Sequence, residues 1–207
     1  GQLHLLSATT DRGEIITVLD EVRKPAAGSA IWLGGRRYDC NEEGRTLIPF
    51  SNEPGKRTSV IETPGGFASL AQFHHPSESY NLHAGIRIER EALRPGAKAT
   101  IMVRPTLTVA EQPISLTRLS KVRLALISTD IDGVSTTSTI NDFKIASDRE
   151  ATHEIRVPDR LASLDIRLVA AVKMASDGQK EIELSASQSF IVNGQLRSSL
   201  INDIFLS

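Results

Sequence analysis

Short stretches in which apolar and polar residues alternate recur along this chain of 207 residues, and amphipathic helical patterns are scarce. The clearest stretch is KEIELSASQSFIVN at residues 180–193, where Ile182, Leu184 and Ala186 follow a period of two. Successive side chains of a β-strand point to opposite faces of its sheet, so this period predicts strands with one buried face. The alternation therefore favours folds that are built from β-sheets.

Turn signals separate the predicted strands. The strand-like segments are residues 14–20, 30–33, 45–50, 58–63, 99–105, 121–129, 152–158, 164–174 and 180–193. Three pairs of an acidic residue and a glycine lie between such segments, namely Glu43-Gly44, Asp132-Gly133 and Asp177-Gly178. These pairs supply the positive φ angles that tight hairpins need. About a dozen strands with almost no helix predict an all-β protein built of β-sandwiches.

Two segments have an alternative interpretation. Residues 148–154, DREATHE, are the one candidate for a short helix, although their neighbours are β-rich. Residues 65–75, GGFASLAQFHH, could be helix or strand, but the glycines before them and the proline after them leave the length of a strand. Five phenylalanines are expected to fill the cores, and they are Phe67, Phe73, Phe143, Phe190 and Phe205.

A change of pattern near the middle of the chain suggests a domain boundary. Around residues 79–99 the sequence passes from a strand to a charged loop and then to a new β-rich region. We place the boundary near Gly85. The prediction is two sandwiches in tandem, residues 1–85 and residues 86–207, each of a normal size for such a domain.

Two stretches resemble known β-sandwich modules. In residues 11–61 a strand is followed by the step K-P-x-x-G-x-x-I, here Lys24 to Ile31, and then by an acidic-glycine turn. This stretch resembles the carboxypeptidase-regulatory-like, or transthyretin-like, modules. Residues 86–108 are similar to the macroglobulin-like domains of alpha-2-macroglobulin relatives, in which an R-P-G corner, here Arg94 to Gly96, lies between two strands.

The resemblance implies immunoglobulin-like or transthyretin-like sandwiches that act as spacers or contact surfaces in large proteins. It favours a secreted, periplasmic or cell-surface location. The thioester run Cys-Gly-Glu-Gln of that superfamily is absent, because the only cysteine, Cys40, lies in YDCNEEG. The resemblance therefore carries over no covalent chemistry.

Charge and composition argue against several classes of partner. Lys and Arg number 24 against 25 Asp and Glu, so the formal net charge is -1 and no field of one sign attracts nucleic acid or an anionic membrane. No apolar run approaches transmembrane length, so we expect no membrane insertion. Aromatic residues make up 4% of the chain, and Trp32 is the only tryptophan, which disfavours a platform for stacking sugars or bases.

The first candidate metal site is STDIDGV at residues 128–134, where Asp130 and Asp132 precede Gly133. A calcium loop of the EF-hand kind needs carboxylates at its first and last positions and glycine at the sixth. With Gly133 in the sixth position, both of those carboxylates are missing. The pattern therefore favours a hairpin turn, and Asp130 and Asp132 stay candidates only for a metal site completed from elsewhere in the chain.

The second candidate metal site is a histidine cluster around His74 and His75, with Glu78 and His83 nearby. Adjacent residues of a regular strand point to opposite faces, so His74 and His75 cannot easily bind one ion. The spacing fits no zinc motif. We expect solvent-facing or half-buried imidazoles, and no cofactor.

No local motif for catalysis is present. The chain lacks a Gly-x-Ser-x-Gly elbow, a P-loop and a His-Glu-x-x-His run. Cys40 has no neighbour that would activate it, so we interpret it as a small apolar residue in or beside a strand. We therefore predict that the chain is not an enzyme and name no catalytic residue.

The sequence thus predicts a non-catalytic structural or protein-contacting segment of a larger, exported or surface protein. One alternative is a glycan- or substrate-binding accessory module, which requires an exposed cluster of Trp32, Tyr38 and Tyr80. A second alternative is a hydrolase with a non-local site, which requires His74, His75 or His153 to lie in a cleft within hydrogen-bonding reach of a serine and a carboxylate. A contact module requires instead an exposed apolar patch or an open sheet edge.

Overall fold

The computed structural model describes residues 2–192, which form fifteen β-strands and two short 3-10 helices. The first eight strands are β1 (His4–Thr10), β2 (Gly13–Leu19), β3 (Ala30–Leu33), β4 (Arg36–Asp39), β5 (Arg45–Ile48), β6 (Gly55–Glu62), β7 (Ala68–His75) and β8 (Tyr80–Ile88). The others are β9 (Lys98–Val109), β10 (Gln112–Ile114), β11 (Leu119–Asp130), β12 (Ser135–Ile140), β13 (Ala151–Arg156), β14 (Leu161–Lys173) and β15 (Glu181–Ile191). The 3-10 helices are Arg90–Ala92 and Leu116–Arg118. The predicted all-β fold class is confirmed.

The strands form four sheets within the described residues. One sheet has the order β1-β2-β5, and a second has the order β4-β3-β6-β7. In a third sheet β9 lies between β10 and β13 and also pairs with β8. The fourth sheet has the order β12-β11-β14-β15. Hairpin pairs such as β1 with β2 and β11 with β12 run antiparallel, as expected for strands joined by short turns.

The described residues fall into two compact units. The first unit contains residues 2–83, 105–121 and 170–184, and the second contains residues 84–104, 122–169 and 185–192. Gly85 lies within β8. The division of the chain into residues 1–85 and residues 86–207 stays a prediction.

The larger core of the first unit is formed by alternate residues of two sheets. Its buried residues are Ile16 and Val18 of β2, Ile48 of β5, Ile31 of β3, Ile61 of β6 and Phe73 of β7, with Cys40 beside them. The strand β2 shows the reason, because Ile16 and Val18 are fully buried while their neighbours are half-buried. Full burial of an isoleucine or valine side chain contributes about 1.5–3 kcal/mol, so inner residues at every second position hold the two sheets together.

A second cluster of the first unit joins segments that are far apart in sequence. Its buried members are Phe50, Tyr80, Val109 and Val172. Partly buried side chains of β15, Ile182 and Leu184, pack against it. No local pattern in the sequence pairs these positions.

The core of the second unit also follows a period of two. Ala99, Ile101 and Val103 of β9 are buried at every second position, and so are Leu164, Ile166 and Leu168 of β14. Strand β13 pairs with β9 so that Ala151 lies opposite Val103. The candidate helix at residues 148–154 is therefore wrong, since most of that segment belongs to β13. Pairing with β9 supplies hydrogen bonds that this short segment could not provide for itself as a helix.

Two further expectations, those for Phe67 and Gly178, differ from the structure. Phe67 is 43% exposed in the turn between β6 and β7 instead of filling a core, because the hairpin closes with Thr63 N donating to Phe67 O at 2.9 Å. Phe205 lies outside the described residues. Gly44 and Gly133 have φ angles of 67° and 84°, as the acidic-glycine turns predict, but Gly178 has no positive φ.

Candidate protein-contact surface

The outer face of the sheet β4-β3-β6-β7 carries a row of cross-strand partners. Trp32 of β3 lies opposite Arg37 of β4 on one side and Val60 of β6 on the other. Val60 in turn lies opposite Leu70 of β7. These four residues, Arg37, Trp32, Val60 and Leu70, are called the Trp32 row.

The apolar members of the Trp32 row are exposed to solvent. The exposed fractions are 39% for Trp32, 37% for Val60 and 73% for Leu70. Single exposed apolar side chains are ordinary on protein surfaces, whereas exposed apolar residues at partner positions on three adjacent strands lie side by side on one face. Exposed apolar patches on proteins mark sites of contact with other molecules.

The indole of Trp32 is held in place by polar groups on the same face. Its Nε1 donates to Glu62 Oε2 at 2.9 Å, and the guanidinium carbon of Arg37 lies 5.8 Å from the ring centroid. Arg37 Nε also donates to Asp39 Oδ1 at 2.8 Å. The ring and the guanidinium are therefore fixed before any partner arrives, which lowers the entropy lost on binding.

Polar residues border the row along the same face of the sheet. The next row pairs Thr58 with Gln72, and Gln72 Nε2 donates to Thr58 Oγ1 at 3.3 Å. The row after it pairs Lys56 with His74. An apolar centre with tryptophan and arginine, surrounded by polar groups, has the arrangement of a protein interface.

The aromatic cluster that a glycan site would need is not assembled. Tyr38 lies opposite Ile31 and packs against the core of the first unit, so it faces away from Trp32. Tyr80 is only 5% exposed and belongs to the second cluster. Trp32 therefore contributes its ring to the surface without either tyrosine.

The segment of Asp130 and Asp132 forms the turn between β11 and β12. Asp130 Oδ1 accepts hydrogen bonds from the backbone N–H groups of Asp132 and Val134, each at 2.9 Å. The Asp132 carboxylate is paired with Arg160. Both carboxylates thus have protein partners in the turn that the sequence favoured.

The histidines of the second candidate site point in different directions. On β7, His74 is exposed and His75 is buried, as the alternation of a strand predicts. His75 Nε2 lies 2.7 Å from the backbone oxygen of Pro49. His83 of β8 is exposed. Among residues 2–192 no group of three or more His, Cys, Asp or Glu side chains is placed to hold a metal ion.

Glu78 has a different role from the one that its neighbours in sequence suggested. Its carboxylate accepts hydrogen bonds from Tyr80 Oη at 2.8 Å, from the backbone N–H groups of Ala175 and Ser176, and from the Ser176 hydroxyl. Partial burial acts to raise the pKa of Glu78, but the bonds from Ser176, Tyr80 and Ala175 outweigh it and lower the pKa below its usual value. Burial, and then the Glu78 carboxylate, raise the pKa of Tyr80 to about 12, so its hydroxyl stays a donor.

Residues 2–192 contain no hydrogen-bonded set of a histidine, a serine and a carboxylate, as a hydrolase would need. Within the described part of the chain, no side-chain hydrogen bond connects His74, His75 or His153 to a serine or a carboxylate. Cys40 is buried, and burial together with the nearby Asp39 carboxylate raises the pKa of its thiol to about 11. A thiol that stays protonated at neutral pH is a poor nucleophile.

Sequence reasoning missed the Trp32 row. The run AIWL and the segment around Val60 are apolar at consecutive positions, so one set of side chains must face outward once the other set fills the core. That signal predicts an exposed apolar face, but it does not show which strands lie side by side.

Within residues 2–192 the structure holds no helix with the length and apolarity needed to cross a bilayer.

Three comparisons relate the chain to known proteins. Actin-binding protein F of Dictyostelium discoideum is 29% identical over 212 residues, in an alignment that covers 100% of this chain and 9% of that protein. The chain therefore spans about a tenth of this relative. A tetra-tandem repeat from the extending region of a large adhesion protein has 13% identity and a TM-score of 0.26, covering 93% of this chain and 50% of that one. A carbohydrate-binding module of the β-sandwich superfamily has 10% identity and a TM-score of 0.25, covering 91% and 96%.

The family match identifies the type of domain. A family model described as the AbpF third immunoglobulin-like domain matches residues 89–198. The expected immunoglobulin-like character is confirmed by this match. The finer assignments to carboxypeptidase-regulatory-like and macroglobulin-like modules stay predictions, and so does an exported location. Since the match covers more than half of the chain, the protein belongs to the family of the AbpF third immunoglobulin-like domain.

Proposed function

We propose that this chain is a non-catalytic module that makes protein contacts within a longer protein, and that actin filaments are one of its partners. The observation that carries the proposal is the alignment of the whole chain with a segment of Actin-binding protein F. Immunoglobulin-like sandwiches bind through loops and sheet faces held by a rigid core, so this role needs no active site.

The Trp32 row supports a contact role. Tryptophan and arginine dominate the residues whose truncation costs most in protein interfaces. Here both are held by neighbouring groups, with Trp32 bonded to Glu62 and Arg37 bonded to Asp39. We propose that the row is the centre of the surface that contacts actin.

We also propose that the chain contains two immunoglobulin-like or transthyretin-like sandwiches with a boundary near Gly85. The family match, which begins at residue 89, supports an immunoglobulin-like domain in the later part. The core between β1-β2-β5 and β4-β3-β6-β7 supports a sandwich in the earlier part, because alternate residues of both sheets fill it.

Sedimentation of the purified chain with actin filaments tests the proposed partner. We expect the chain to pellet with filaments and to saturate as the filament concentration rises. Trp32→Ala should weaken binding about tenfold or more, as for a central interface tryptophan. Val22→Ala is the matched control, because Val22 is 66% exposed outside the row.

Two outcomes would contradict different parts of the proposal. A chain that stays in the supernatant at about 100 μM filaments, a concentration that detects even weak contacts, does not bind actin. Binding that is unchanged by Trp32→Ala places the contact outside the Trp32 row. Because the substituted side chain lies on the outer face of its sheet, the fold should survive, and an unchanged circular dichroism spectrum checks this.

A further inference from the structure

Among residues 2–192, no strand pairs with the outer side of β12, which is an open edge in the second unit. It is the terminal strand of the sheet β12-β11-β14-β15. Five of its six residues are exposed, and its sequence STTSTI contains neither a charge nor a proline. Natural edge strands are usually protected by lysine, proline, a bulge or a covering segment. The sequence of β12 supplies neither of the first two and consists of residues with good β-propensity.

The hairpin register shows which backbone groups of β12 face outward. Asp130 N donates to Val134 O at 3.0 Å, so this pair is hydrogen-bonded at the turn. Bonded and non-bonded pairs alternate in an antiparallel ladder. The pair after the turn, Thr129 with Ser135, is therefore non-bonded, and Ser128 with Thr136 is the next bonded pair.

The outward-facing backbone groups therefore belong to alternate residues of β12. Thr136, Ser138 and Ile140 bond to β11, whereas Ser135, Thr137 and Thr139 direct their N–H and C=O groups to the open side. A further strand is the partner that such a row of backbone donors and acceptors fits.

A groove lies on the inner side of this edge. It has a volume of about 640 Å³ and runs between β12 with its neighbour β11 and the strand β13 with the start of β14. The apolar side chains that line it are Leu126, Val134, Ile155, Leu161 and Leu164. One end is fixed by the turn, because Ile131 N donates to Arg160 O at 3.0 Å and Arg160 pairs with Asp132.

We propose that β12 accepts an extended segment of a partner protein as an added strand, whose alternate side chains are apolar and enter the groove. Thr136 and Ser138 line the groove, so the side chains of a neighbouring strand at matching positions would point into the same space. The charged side chains of the lining carry both signs, for example Asp159 and Arg156, so the groove selects apolar side chains rather than a charge. This site is separate from the Trp32 row and goes beyond the actin proposal.

A second copy of this chain fits the site less well. Its own β12 would bring STTSTI alongside the edge, and only Ile140 of that segment is apolar. Serine and threonine side chains would then face the leucine and isoleucine side chains of the groove. A segment with valine, isoleucine or leucine at every second position fills the same space with apolar groups.

Amide hydrogen exchange of the intact chain tests the inference. The probe is a synthetic eight-residue peptide of alternating valine and threonine with a lysine at each end. In the free chain, the amides of Thr136, Ser138 and Ile140 should exchange slowly and those of Ser135, Thr137 and Thr139 quickly. Saturating peptide should slow the second set about tenfold or more, since each gains a hydrogen bond.

Two variants at one position separate backbone pairing from other effects. Thr137→Pro removes one outward N–H without breaking a bond to β11, and it should weaken peptide binding about tenfold. Thr137→Val keeps the N–H and the β-propensity, and it should bind as the unsubstituted chain does. Both variants should retain the exchange pattern of the β11–β12 ladder, which shows that the hairpin remains formed.

Three results would overturn the inference. The first is that millimolar peptide does not slow the exchange of the Ser135, Thr137 and Thr139 amides. The second is equal binding by Thr137→Pro and Thr137→Val. The third is protection that grows with protein concentration alone, which assigns the edge to a second copy. None of them affects sedimentation with actin, so the two proposals fail independently.

Discussion

The substitution Glu78→Gln tests the hydrogen-bonded cluster around Glu78, a residue that the sequence had grouped with the histidines of the second candidate metal site. The carboxylate accepts from Tyr80, from the backbone N–H groups of Ala175 and Ser176, and from the Ser176 hydroxyl. A hydrogen bond to an ionised group contributes about 1.5–3 kcal/mol when buried. Glutamine keeps one oxygen acceptor and the site is only partly buried, so we expect a loss of about 1–2 kcal/mol.

The effect should depend on pH in a defined direction. The hydrogen bonds outweigh partial burial and lower the pKa of Glu78 in the folded chain below its usual value, so the folded state favours the ionised form. Its contribution to the free energy of unfolding is fully present above about pH 5 and is lost as the pH falls through the folded pKa. The difference between the unsubstituted chain and Glu78→Gln should be largest at pH 7 and should shrink by pH 3.

Thermal unfolding and amide exchange measure the two parts of this prediction. For a chain of this length the midpoint should fall by about 2–8 °C at pH 7, and the amides of Ala175 and Ser176 should exchange faster. Glu154→Gln is the matched control, because Glu154 pairs with Lys98 at the surface and should contribute little. The reasoning is refuted if Glu78→Gln leaves the midpoint unchanged at pH 7, or if its effect is as large at pH 3.

Two further predictions concern the first core and the turns. Gly44→Ala should destabilise the chain more than Gly133→Ala, by about 1 kcal/mol or more, when urea unfolding of both variants is compared. Both glycines have positive φ, but an added Cβ at Gly44 would lie 2.7 Å from Val18 O, whereas nothing lies within 4 Å at Gly133. Equal losses would contradict this difference. Cys40 should react slowly with an aromatic disulfide reagent at pH 8 and rapidly in denaturant, because burial and Asp39 raise its pKa to about 11. Fast labelling of the folded chain would show that the thiol is accessible.

Local periodicity was sufficient to predict most of the strands. The alternation around Ile182 and Leu184 corresponds to β15, and the acidic-glycine pairs at Gly44 and Gly133 correspond to turns with positive φ. These features depend on residues that are close together in sequence. The helix proposed at residues 148–154 failed for the opposite reason, because its state is decided by pairing with β9. Propensity over seven residues is weaker than a full set of hydrogen bonds to a neighbouring strand.

The candidate sites depend even more on contacts between residues that are far apart in sequence. The sequence correctly separated His74 from His75, because a period of two is a local rule. It grouped Glu78 with these histidines, although the partners of Glu78 lie near residues 175 and 176. The Trp32 row needs the order of four strands before its members become neighbours. Composition alone could show that tryptophan is scarce, but not that the single one lies in an exposed apolar row.

The two proposed surfaces make different demands on a partner. The Trp32 row offers side chains that are already fixed, so it suits a partner whose own folded surface is complementary to a tryptophan and an arginine. The edge of β12 offers backbone donors and acceptors beside an apolar groove, so it suits a partner segment that can become extended. No residue is shared between them, and the row belongs to the first unit while the edge belongs to the second. Trp32→Ala should therefore leave peptide protection of β12 unchanged, and Thr137→Pro should leave actin sedimentation unchanged. If either variant altered both actin sedimentation and peptide protection of β12, a substitution at one surface would be changing binding at the other. The two sites would then be energetically coupled.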